Sequence, residues 1–184
     1  MKSVCIFAGS SDNAIEPYRD EVEKLTTYLI KRNLTIVYGA GKVGLMGVIS
    51  RKANALGGNL VGIVPGHFNT EELVFEKCNS LIVTRDLQER KAVMASQADA
   101  FIVLPGGIGT LDEFAEVLAW KQARQHSKQI FLMNLNSFYE PLLILFNKML
   151  EYNFILPHHL KLFDVFNSID EFIEFAETSI FIKN

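Results

Sequence analysis

Ala100-Phe101-Ile102-Val103-Leu104-Pro105-Gly106-Gly107-Ile108-Gly109-Thr110-Leu111 is the stretch on which the fold turns. Its first five residues form the most apolar run in the chain, which reads as a strand, and the strand runs straight into a glycine loop. A helix is predicted over 111–124. Working outward, the same order recurs. Strands are predicted over 4–8, 35–38, 60–64, 80–84 and 130–133. A helix follows Pro17, with Val22, Leu25 and Leu29 at helical spacing. Others are predicted over 46–56, 86–98 and 139–152, and Ser168-Ile169-Asp170-Glu171 has the spacing of a capping box that opens a last one. The strands are continuous apolar runs and not alternating ones, so both faces of the sheet should be covered. The expected fold class is therefore α/β: a Rossmann-like, doubly wound, mostly parallel sheet with helices on both faces. Residues 67–77 are polar and irregular, as an active-site loop or lid would be.

The bulk properties fit one such domain over 1–184, with 49% hydrophobic and 21% charged residues. A net charge of −3 gives no global positive field to recruit nucleic acid, so an anionic ligand must be held by local chemistry. Cys5 and Cys78 make neither a disulfide framework nor a metal cluster. His67, His126, His158 and His159 show no metal-ligand spacing either. No apolar stretch is long enough for a signal-peptide core or a membrane span, and the expected location is the cytoplasm.

Ligands of doubly wound sheets bind at the carboxyl ends of the strands. Every glycine cluster here follows a strand: Gly9 with Ser10 and Ser11, Gly39 with Gly41, Gly66, and Gly106 with Gly107 and Gly109. Pro105 to Thr110 has the chemistry of a phosphate site. Glycines let the backbone approach an anion, the helix start offers free N–H groups and a favourable dipole, and Thr110 adds a hydroxyl. The loop lacks the lysine of a triphosphate loop and the spacing of a dinucleotide fingerprint, which points to a monophosphate.

Two charged residues stand beside this loop with two readings each. Glu113 lies three residues after Thr110, where it completes a capping box on the Thr110 N–H; alternatively it leaves the cap to a bound phosphate and faces the ligand. Arg90 lies one turn from Leu87 and from Met94, and its partner is either Asp86 at i−4 or the ligand. Lys91 is a second donor or a solvated charge. Along the helix after the loop, Leu111, Phe114, Ala115 and Leu118 are expected to pack on the sheet. Glu113, Val117 and Trp120 are expected on the opposite side, with Trp120 buried in a homodimer or under the C-terminal helix.

The run Pro105-Gly106-Gly107-Ile108-Gly109-Thr110-Leu111-Asp112-Glu113 resembles the PGGxGTxxE motif of the Lonely Guy family. Arg90-Lys91 is similar to that family's second motif, and Gly9-Ser10-Ser11 and Gly44-Leu45-Met46-Gly47 also look like family segments. The resemblance implies hydrolysis of the N-glycosidic bond of a nucleoside 5′-monophosphate, such as AMP or a cytokinin riboside 5′-monophosphate. It also implies no metal or organic cofactor, and a dimer or larger assembly with the site near the subunit interface. It makes Arg90 and Glu113 the catalytic pair. Gly106, Gly107, Gly109 and Thr110 would hold the phosphate, with Gly9, Ser10, Gly39, Gly41, Lys91, Pro105 and Ile108 as further substrate contacts. Glu72 falls where family members place a substrate contact. Ala40, Leu87, Gln88 and Ala119 depart from the family pattern and bear on base specificity, Ala40 by adding a methyl near the ligand edge. The alternative is a non-catalytic nucleotide- or molybdenum-cofactor-binding carrier, since such carriers share the loop type. Retention of both Arg90 and Glu113 favours the enzyme. The lysine decarboxylase label sometimes given to the family is discounted, because no lysine here has the context of a Schiff-base site.

Overall fold

The computed structural model describes residues 1–70 and 73–181. Among these residues seven parallel strands are ordered β4-β3-β2-β1-β5-β6-β7. They are β1 (Ser3–Phe7), β2 (Thr35–Tyr38), β3 (Leu60–Pro65), β4 (Ser80–Thr84), β5 (Ala100–Val103), β6 (Gln129–Met133) and β7 (Asp164–Phe166). The helices between them are α1 (Arg19–Lys31), α2 (Gly44–Ala55), α3 (Leu87–Ser96), α4 (Ile108–Gln122), α5 (Glu140–Glu151) and α6 (Ile169–Phe175). The doubly wound expectation is borne out. The strand that sequence reading misses is β7, a three-residue edge too short to stand out as an apolar run.

Alternation along each strand feeds two cores. Val4 and Ile6 of β1, with Ala100 and Ile102 of β5, face the side covered by α1, α2 and α6, where Val22, Leu25, Ile49 and Phe172 are buried. Cys5, Phe7, Phe101 and Val103 face the other side with Met94 of α3 and Phe114 and Val117 of α4. The chain winds outward from β1 to β4 and then crosses back to β5, so β1 and β5 are neighbours at the point where the winding reverses. Val4 pairs with Ala100 and Phe7 with Val103 there. Gly9 and Pro105 leave these two strands side by side, and the Gly9 N–H donates to the Pro105 carbonyl at 3.1 Å. A doubly wound sheet binds its ligand in the crevice at this switch point.

The helix starts divide into two kinds. Asp86 caps α3 by accepting from the Glu89 N–H at 2.8 Å, and Ser168, as its spacing predicts, caps α6 by accepting from the Glu171 N–H at 3.1 Å. The capping box expected from Thr110 and Glu113 does not form. Helix α4 begins at Ile108, three residues before the predicted start, with the extended Gly107 as its N-cap and no side-chain cap. Thr110 is already helical, so Glu113 has no cap to close.

The faces of α4 also differ from expectation. Thr110, Glu113, Phe114 and Val117 are its buried residues, while Leu111 and Ala115 are exposed. The apolar pattern misleads because one charged residue, Glu113, is turned inward. Trp120 is partly buried against the cluster shared by α3 and α4 and not under α6. Among the described residues no helix is long and apolar enough to cross a membrane.

Candidate active site

A cavity of about 490 Å³ opens at the switch point. Gly9, Ser10, Gly39 and Gly41 form one side of it; Gly107, Ile108, Gly109 and Thr110 form another, and Arg90 and Glu113 also line it. The sequence-predicted residues thus converge, with four exceptions. Pro105 and Gly106 lie behind the wall: the Pro105 carbonyl ties down Gly9, and a methyl on Gly106 would overlap the Thr110 hydroxyl. Lys91 points to α4, held by Asp112 at 2.9 Å and Glu116 at 3.3 Å. Glu72 lies outside the described residues.

Gly107 and Gly109 carry the clearest signal. Neither has a positive φ, and a methyl built on either would meet nothing within 4 Å. Backbone conformation and packing therefore do not require glycine at these two places. Gly109 sits inside the first turn of α4, where glycine costs about 1 kcal/mol relative to alanine. What glycine leaves here is room beside the N–H groups at the head of a 15-residue helix. By contrast, the head of α2 is filled from within the chain. The Gly44 N–H donates to Asp12 Oδ1 at 2.8 Å, and the Leu45 N–H to the Gly9 carbonyl at 2.9 Å. The open head of α4 has the chemistry to take an anion. Gly109→Ala is accordingly expected to act in opposite directions on stability and on ligand. Thermal unfolding should show a gain of about 0.5–1 kcal/mol, while calorimetry shows affinity for ribose 5-phosphate falling about tenfold. Unchanged affinity would contradict the assignment.

Arg90 and Glu113 meet on the inner wall. Arg90 Nη1 donates to Glu113 Oε1 at 2.8 Å and Nε to the Ile63 carbonyl at 3.0 Å. Their side chains are only 13% and 9% exposed. Neither the Asp86 pairing nor the capping-box reading survives: each charge takes the other as its partner. Burial pushes the Glu113 carboxyl above its usual range, and the Arg90 guanidinium pulls it part of the way back. Gly39 makes this arrangement possible, since a methyl there would overlap Arg90 Nη2.

Sequence reasoning missed the apolar part of the wall. Val43, Met46, Phe68, Leu73, Val74 and Leu87 line the cavity too. The irregular segment after β3 brings three of them in. It is pinned across the β2–α2 turn by Lys42 N–H to the Leu73 carbonyl at 3.0 Å and Phe75 N–H to the Ala40 carbonyl at 2.9 Å. The signal was the segment's position after a strand end, but its pairing partner cannot be read from the sequence. Ala40 is fully buried against Val64 and Val74, so its methyl packs beneath this segment and does not line the cavity.

An open helix head on one wall and a buried carboxylate–guanidinium pair on another meet in one cavity at the switch point of a Rossmann-like α/β protein. The chain belongs to the family described as "Possible lysine decarboxylase", whose profile matches residues 46–175, and the Lonely Guy resemblance is borne out. A probable cytokinin riboside 5′-monophosphate phosphoribohydrolase of Arabidopsis thaliana is 40% identical over 157 residues, 85% of this chain and 78% of that relative. A second, from Oryza sativa subsp. japonica, is 41% identical over 157 residues, 85% of this chain and 64% of the relative. Among solved structures, the molybdenum cofactor binding protein from Rippkaea orientalis superposes with a TM-score of 0.70 at 22% identity, covering 98% of both chains. That likeness is one of fold.

Proposed function

We propose that this protein hydrolyses the N-glycosidic bond of a nucleoside 5′-monophosphate to a free base and ribose 5-phosphate. The observation that carries the reading is the pairing, within one cavity, of the open α4 head with the buried Arg90–Glu113 pair. The 5′-phosphate sits on the N–H groups of Gly107 to Thr110. The ribose then lies against Glu113. Breaking the glycosidic bond builds positive charge on the sugar, and a carboxylate in a dry site stabilises that charge strongly. Arg90 holds the carboxylate in place through Nη1 and leaves Nη2 at the cavity wall, beside Gly39, for substrate hydroxyls or the departing base. A carrier needs none of this chemistry. No lysine is among the described residues that line the cavity, which speaks against a Schiff-base decarboxylation there.

The base occupies the apolar mouth formed by Phe68, Leu73, Leu87 and Ile108. These side chains are half to largely exposed, Ile108 at 84%, which suits a base with an apolar N6 substituent. Exposed Ile144, Leu145, Phe154 and Leu156 support a homodimer, and the overall reading is of a cytoplasmic enzyme. Incubation with AMP and with N6-isopentenyl-AMP, followed by chromatography, is expected to show base release from both, faster from the substituted nucleotide. Equal rates would remove the mouth from the account of specificity. Release of no base from either would remove the hydrolase.

A further inference from the structure

The Leu104–Pro105 peptide starts the glycine loop, and proline gives it no N–H. Its carbonyl is therefore its one hydrogen-bonding handle. Leu104 is fully buried, so water does not serve that carbonyl; the Tyr139 hydroxyl donates to it at 2.8 Å. Tyr139 is itself fixed. Its backbone N–H donates to Asn134 Oδ1 at 2.7 Å, Asn134 Nδ2 donates to Asn167 Oδ1 at 3.1 Å, and the Asn134 N–H donates to the Phe166 carbonyl at 2.8 Å. Asn134 is buried, and its backbone and side chain together connect the end of β7 to the start of α5.

We infer that Tyr139 is a positioning residue for phosphate binding: its hydroxyl sets the plane of the Leu104–Pro105 peptide, and that plane sets where the Gly107 and Gly109 N–H groups point. The chain of contacts runs from Asn134 to Tyr139 to Leu104, none of which lines the cavity, and on into the loop, which does. Burial, and then the charge of Glu113, push the phenol of Tyr139 far above its ordinary range, so it stays a donor across the working pH range. The inference deepens the proposed function, because it assumes that the α4 head takes the phosphate.

The test is Tyr139→Phe, which removes one oxygen. Ribose 5-phosphate and ribose are titrated calorimetrically into the wild type and the variant, and KM and kcat are measured with N6-isopentenyl-AMP and with its nucleoside. Affinity for ribose 5-phosphate is expected to fall about tenfold because the loop is no longer held in place, and KM for the nucleotide to rise by the same factor. Values of kcat, and kcat/KM for the nucleoside, are expected to stay within about threefold. Phe146→Leu, in the same core, lowers stability and serves as the control that should not show this selectivity. If Tyr139→Phe does not fold, Asn134→Ala reads the same ratio through the residue that holds the Tyr139 backbone. Equal losses for ligands with and without phosphate, unchanged affinity, or a wild type that does not bind ribose 5-phosphate would each overturn the inference. Selective loss of ribose 5-phosphate binding in a protein that releases no base would uphold it and overturn the hydrolase instead.

Discussion

Glu113→Gln is expected to slow base release about a thousandfold while nucleotide affinity stays within about threefold. Glutamine has the same shape, and its carbonyl oxygen can still accept from Arg90 Nη1 in the 2.8 Å geometry of the native pair. The wall of the cavity is therefore kept and only the charge is lost. In the proposed reaction that charge faces the sugar as the bond breaks, and it is lost from a site where Glu113 is largely shielded from water. Protonation does to the wild type what the substitution does permanently. Because burial holds the Glu113 carboxyl above its ordinary 4.5, the rate falls as pH drops through that raised value. The acid limb of kcat/KM in the wild type should thus lie above pH 4.5, and it should be missing from the residual rate of the variant. A variant with a tenth or more of the wild-type rate, or a wild-type limb at 4.5 or below, would contradict the role given to Glu113.

Gly39→Ala is expected to cost about a hundredfold in activity and about 3 kcal/mol in stability, although Gly39 bears no functional group. The added methyl would overlap Arg90 Nη2 and press on Cζ and on Met46 Sδ, each at 3.2 Å. Met46 can move aside. The guanidinium cannot do so cheaply, because Nε is held by the Ile63 carbonyl and Nη1 by Glu113. Moving it breaks a buried pair, which is the expensive way to lose one. The two sites are therefore coupled: in an Arg90→Lys background, with no guanidinium in the way, Gly39→Ala should cost much less. Denaturant unfolding and base release, measured over the four-member cycle, check this. Additive effects would mean that Gly39 does not serve Arg90.

The apolar runs made the sheet legible because strands covered on both faces need no alternation to be recognised. The glycine loop was legible because its composition exceeds what a turn requires. The start of α4 was not. Thr110 and Glu113 have the spacing of a cap, and only the position of Arg90, 23 residues away on another helix, shows that the carboxylate is drawn elsewhere. The same ion pair hid the buried face of α4, since a charge on the inward side reads as solvent-facing when its partner is out of sight. Gly39 pointed to the site for only part of its reason: it was read as a ligand contact and it does line the cavity, but that it also makes room for Arg90 could not be read from the sequence. Tyr139 carried no signal at all, because a tyrosine before a helix acquires its meaning from the carbonyl that the fold sets against it.

The most direct test of the central claim is a single-turnover reaction with the wild-type protein in excess over N6-isopentenyl-AMP, quenched and assayed for base, ribose 5-phosphate and remaining nucleotide. The nucleotide should disappear, and base and ribose 5-phosphate should appear in equal amounts. Recovery of intact nucleotide from a protein that has bound it would contradict the account and leave a nucleotide carrier in its place.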